Sequence, residues 1–155
     1  MLLDKYAPMT TETLHPIIFA EAVKPFPIGR ILIVDDDVAT LFAYKKLIER
    51  EGIGVDVCES LDEAIELIKS HPYYAIVADL RLAGTDNMDG LEVLRTVRER
   101  RMDTKVIIVT GYGNKEIEQK ALDMGASYYF EKPVLPSAIL KALNTLNSTA
   151  VDKKK

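Results

Sequence analysis

Five polar side chains stand where apolar runs of this chain end, and their types suit phosphoryl chemistry. Asp35 and Asp36 follow Ile31-Leu32-Ile33-Val34, Asp79 follows Tyr74-Ala75-Ile76-Val77-Ala78, Thr110 follows Val106-Ile107-Ile108-Val109, and Lys132 comes just after Ser127-Tyr128-Tyr129-Phe130. Clustered carboxylates repel, and each raises the cost of ionising the next. A divalent cation removes that cost, and Mg²⁺ favours one or two carboxylates, several waters and a phosphate oxygen over a full protein cage. Lys132 would neutralise phosphoryl charge as a point charge. Thr110 could donate a hydrogen bond to a phosphoryl oxygen. Asp79 is then free to act as a nucleophile and form an aspartyl phosphate. The set holds no His, Cys or Ser base, which argues against acyl-transfer hydrolysis. Each member alone has a plainer reading: Asp79 as a turn residue or cap, Thr110 as a strand end. Asp37 is best read as the cap of the first helix.

The elements that must bring these residues together follow a rhythm. Runs such as Ile31–Val34 and Tyr74–Ala78 lack the alternation of a half-exposed strand and read as strands covered on both faces. Between them, apolar residues recur at helical spacing: Leu41, Tyr44, Leu47 and Ile48; Ala64, Ile65, Leu67 and Ile68; Leu91, Val93, Leu94 and Val97; Ile117, Ala121, Leu122 and Met124; Ile139, Leu140, Leu143 and Leu146. Ser60 and Glu63 form a capping box before the second of these helices. With Val55–Cys58 as the second strand, there are five strand–helix units. Alternation of this kind predicts an α/β fold with a five-stranded parallel sheet, helices on both faces and right-handed crossovers. Ligands of such sheets sit in the crevice outside the carboxyl ends of the strands. All five polar ends would lie there.

Composition narrows the function classes. The 155 residues suggest one domain, and the 48% hydrophobic and 28% charged shares are those of an ordinary globular chain. A net charge of −4 gives no basic footprint for nucleic acid. The single Cys58 excludes an internal disulfide and fits a reducing cytoplasm. No apolar run reaches the roughly 18 residues of a membrane helix. Residues 1–28, broken by Pro8, Pro16, Pro25 and Pro27, read as a partly ordered extension in which Ile17, Ile18 and Phe19 could pack on the body. Residues 149–155 read as a frayed polar tail, leaving the rhythm to 29–148.

Taken together, the motifs resemble the receiver domain of bacterial two-component response regulators. The residues that carry the likeness are Ile31–Asp37, Ile76-Val77-Ala78-Asp79-Leu80, Met88-Asp89-Gly90-Leu91-Glu92, Val109-Thr110-Gly111, Gly125-Ala126-Ser127 and Glu131-Lys132-Pro133. The resemblance implies a flavodoxin-like, doubly wound sheet with strand order 2-1-3-4-5. It implies that Asp79 accepts phosphate from the phosphohistidine of a sensor histidine kinase or phosphotransfer protein. It implies Mg²⁺ (or Mn²⁺) held by Asp36, by Asp35 partly through water, by Asp79, and by the backbone carbonyl of Arg81. It assigns Thr110 and Tyr129 as a switch pair, Lys132 as the phosphoryl-contacting lysine, and a cis peptide at Lys132-Pro133. The output surface would be the face of the fourth helix, fifth strand and fifth helix, binding a downstream protein that the sequence does not name.

Two further readings come from position. Arg81 and Tyr112 lie two residues beyond Asp79 and Thr110, so both should flank the path of an attacking water and modulate dephosphorylation. The loop from Asp79 to Gly90 is longer than the family pattern, with Gly84-Thr85-Asp86-Asn87 inserted and Ala83 in the place of a common proline. Asp86, Asn87 and Asp89 lack the twelve-residue calcium-loop pattern, so a solvated turn is expected. Two rivals stand beside the receiver reading. An aspartyl-phosphate phosphohydrolase would use Asp35-Asp36-Asp37-Val38-Ala39, but Ala39 fills the Thr/Val place of that motif. A phosphate-independent docking module would need no intact carboxylate set. No output domain follows the last helix, so the chain is expected to be a stand-alone receiver or part of a longer regulator.

Overall fold

The computed structural model describes residues 29–82, 88–100 and 102–153, the last six as backbone only. Five strands alternate with five helices: β1 (Arg30–Val34), α1 (Val38–Glu49), β2 (Val55–Cys58), α2 (Leu61–Ser70), β3 (Tyr73–Asp79), α3 (Asp89–Glu99), β4 (Lys105–Thr110), α4 (Lys115–Asp123), β5 (Tyr128–Glu131) and α5 (Pro136–Lys153). All pairings are parallel, and the order is 2-1-3-4-5. This is the doubly wound, flavodoxin-like sheet that the alternation predicts.

The uninterrupted apolar strands are explained by two cores, one on each face. In β1, Ile31 and Ile33 point to the face covered by α1 and α5, where they meet Leu41, Ile48, Ile139 and Leu143. Leu32 and Val34 point to the other face, covered by α2, α3 and α4, with Ile68, Leu94, Val97 and Ala121. Burying one such side chain contributes roughly 1.5–3 kcal/mol. A polar substitution within β3, buried on both faces, would therefore unfold the centre of the sheet.

Local chemistry sets where helices start. Asp37 caps α1 by accepting from Ala39 N at 3.1 Å, and Ser60 caps α2 by accepting from Glu63 N at 3.2 Å. Asn114 caps α4 through Ile117 N at 2.9 Å. The last helix runs to Lys153 and so passes through the first five residues of the stretch read as a frayed tail. The proposed packing of Ile17, Ile18 and Phe19, and the inserted residues 83–87, lie outside the described residues.

Candidate functional site: the carboxyl edge of the sheet

β1 and β3 are neighbours, so the residues that end them meet. Oxygens of Asp35, Asp36 and Asp79 all lie within 4.8 Å of one another. Asp35 and Asp79 are buried and Asp36 is half-buried. Lys132 arrives from the turn after β5 and is held by its own backbone, Lys132 N donating to Thr110 O at 2.8 Å. Its Nζ donates to Asp35 Oδ2 at 3.0 Å and to Asp79 Oδ2 at 2.9 Å. The Lys132-Pro133 bond is cis.

One ammonium thus serves two buried carboxylates and has a third beside it. Burial pushes the Asp79 carboxyl up, and the neighbouring Asp35 charge adds to this; the hydrogen bond from Lys132 opposes it without prevailing. Burial pulls the Lys132 ammonium down, but its hydrogen bonds to Asp79 and Asp35 win, and its pKa is raised. The two directions are compatible, because a charge shared by two acids neutralises neither. The donor set fits a small divalent cation: clustered carboxylate oxygens, a net negative field, and an opening through half-buried Asp36 for water or phosphate oxygen.

Backbone groups fix the rim. Asp37 N donates to Asp35 Oδ1 at 2.8 Å, and Arg81 N donates to Asp79 Oδ1 at 3.2 Å. Gly90 carries the start of α3 against the end of β3. A Cβ there would lie 2.8 Å from Asp79 O and 2.9 Å from Leu80 Cα, so only glycine permits this approach. Thr110 is fully buried at the end of β4, where its hydroxyl accepts from Tyr112 N at 2.9 Å. It is not joined to the carboxylates by a hydrogen bond among the described residues. The Arg81 guanidinium lies 4.8 Å from the centre of the exposed Tyr112 ring, so the two residues singled out by position touch each other. Tyr129 is half-buried against the core beneath α4, and its hydroxyl oxygen is buried.

Residues 31–144 match the response regulator receiver domain family. The chain belongs to the response regulator receiver family. Among curated relatives, the acid tolerance regulatory protein ActR of Rhizobium meliloti (strain 1021) is 40% identical over 76% of this chain and 59% of its own length. The photosynthetic apparatus regulatory protein RegA of Rhodobacter capsulatus is 34% identical over 73% of this chain and 60% of its own. The receiver thus spans about three fifths of these relatives. A CheY-like receiver domain from Methanospirillum hungatei JF-1 superposes with a TM-score of 0.72 at 31% identity, covering 81% of this chain and 98% of that one. Phosphorylation on an aspartate is the general function of this domain, and it serves two-component signalling. Receiver domains are signalling domains that generally bind Mg²⁺ in an acidic pocket and interact with histidine kinases or phosphotransfer proteins. No helix among the described residues is long and apolar enough to cross a membrane.

Sequence reasoning missed Tyr44 in this receiver. Its hydroxyl donates to Val134 O at 3.0 Å, tying α1 to the segment that follows Lys132. The residue reads as one more apolar position of α1, and nothing in the pattern distinguishes its phenol. Also missed was Asp56, which accepts from Arg30 Nη2 at 2.6 Å and from Tyr73 Oη at 2.7 Å.

Proposed function

We propose that Asp79 is the phosphoacceptor of this receiver, that a sensor histidine kinase or phosphotransfer protein in the cytoplasm supplies the phosphoryl group, and that Thr110 and Lys132 assist. The observation that carries the assignment is the position of Asp79: it ends the central strand with one oxygen on Lys132 Nζ and the other on Arg81 N. An Asp79 oxygen attacks phosphorus, the O–P bond forms, and the P–N bond of the phosphohistidine breaks with its electron pair returning to the imidazole. The attacking group is the ionised carboxylate, which has no proton to give up and so needs no base. Lys132 then has a phosphoryl oxygen to hold in place of the consumed charge. Thr110 turns its hydroxyl proton toward the same group. Asp35, Asp36, Asp79 and the Arg81 carbonyl would hold Mg²⁺ or Mn²⁺, which when bound screens the carboxylates and draws charge from the phosphoryl oxygens.

Output passes through the face of α4, β5 and α5 to a protein partner, with Tyr129 as its responsive side chain. The Arg81–Tyr112 stack shields the acyl phosphate and slows its hydrolysis. Replacing both with alanine is expected to speed loss of phosphate, and an unchanged rate would remove these residues from the account. Acetyl phosphate tests the central assignment. Wild type should gain acid-labile phosphate and Asp79→Asn should gain none. Rapid turnover of acetyl phosphate would instead indicate a hydrolase, and neither labelling nor turnover a docking module.

A further inference from the structure

The loop between β4 and α4 passes directly over Tyr129, at Gly113. A Cβ built on Gly113 would lie 1.8 Å from Tyr129 Oη, 2.9 Å from its Cζ and 3.0 Å from Thr110 Cγ2. No alanine could occupy this position with the ring where it is. Tyr129 therefore fills a slot that opens only because residue 113 lacks a side chain, and Thr110 Cγ2 lies beside the same missing side chain. In this slot the Tyr129 hydroxyl oxygen is buried without a hydrogen-bond partner among the described residues. A buried hydroxyl without a partner costs free energy, so the inward pose is held by ring packing against that cost. Gly113 has a φ outside the left-handed region, so its backbone suits any residue. Size alone sets the requirement.

We propose that Gly113 is a size gate: it admits the Tyr129 ring to the slot beside Thr110, and thereby sets which surface β5 and α4 present to a partner. The gate is a local steric fact, but its regulatory meaning rests on the receiver reading of Asp79. If a phosphoryl group favours the inward ring through Thr110, then blocking that pose must weaken phosphoryl binding by the same factor. Gly113 has no side chain with which to reach the carboxylates or the lysine, so it acts only as a positioning residue.

The test is NMR of Gly113→Ala without phosphate, followed by titration with beryllofluoride as the phosphoryl mimic. Wild type should show cross-relaxation between the Tyr129 ring and the Thr110 methyl, and Gly113→Ala should lose it. Mimic affinity should fall at least about fivefold. Retained cross-relaxation would overturn the gate. A displaced ring with unchanged mimic affinity would overturn its regulatory role. If Gly113→Ala does not fold, Gly113→Ala with Tyr129→Leu decides. Recovery of the fold shows that the ring was the obstacle, and continued failure shows that it was not. Acetyl phosphate labelling of wild type reports separately on Asp79, so failure of the receiver reading leaves the ring result standing.

Discussion

Two carboxylate sites in this molecule put similar groups to opposite ends. Around Asp56, one carboxylate meets one guanidinium and one phenol, and its hydrogen bond to Arg30 holds its carboxyl below the ordinary range. Around Asp79, two buried carboxylates and a half-buried third share one ammonium, and burial pushes the Asp79 carboxyl up. Asp56 is satisfied by its neighbours and can only stabilise. Asp79 sits among more carboxylates than its one ammonium can balance. The difference lies in the ratio of cations to carboxylates, not in residue type.

Removing the cation should separate the clusters most. Lys132→Gln leaves buried carboxylates unpaired, and breaking a buried pair costs roughly 3–5 kcal/mol. Lys132 keeps 29% of its exposure, so the lower end, about 3 kcal/mol, is expected in urea unfolding. Arg30→Gln breaks a pair exposed at 49% and 28% and should cost at most about 1 kcal/mol. Equal losses would erase the contrast.

Adding a cation should come next. Mg²⁺ at about a hundred times its dissociation constant should stabilise the fold by about 2.7 kcal/mol. Asp36→Ala should lose most of this gain in melting curves and Asp56→Asn none. An intact Mg²⁺ shift in Asp36→Ala would place the cation elsewhere.

The smallest effects concern pH, and they differ in sign. The Asp79 carboxyl is raised in the fold, so wild type loses stability as pH rises through the carboxylate range. Asp79→Asn should therefore melt higher at neutral pH, by an advantage that fades on acidification. The Asp56 carboxyl is lowered, so it contributes stability above its ordinary pKa that is lost as pH falls through the folded value. Asp56→Asn should melt lower at neutral pH, by about 1 kcal/mol, again fading in acid. Shifts of the same sign would contradict the comparison.

What the sequence disclosed, and what it hid, divides along the same physical line. The strands were legible because burial on both faces demands uninterrupted apolar residues, and the residue ending each run lies by construction at one edge. Asp35, Asp79 and Lys132 were found that way, and Asp37 and Ser60 by the chemistry of caps. Contacts that depend on side-chain reach between distant elements left no periodic trace. Tyr44 on Val134 hides in a position that reads as ordinary core, and neither the bond from Tyr73 to Asp56 nor the approach of Gly113 to Tyr129 is marked by any spacing. The continuation of α5 to Lys153 was hidden because five residues are too few to show a helical period.

The account turns on which carboxylate becomes the acyl phosphate. Protein treated with acetyl phosphate can be reduced with borohydride, which converts a phosphorylated aspartate to homoserine, and then digested for mass spectrometry. Conversion at position 79, with positions 35, 36 and 56 unchanged, is the expected result. Conversion at position 35 or 36 with position 79 intact would contradict it.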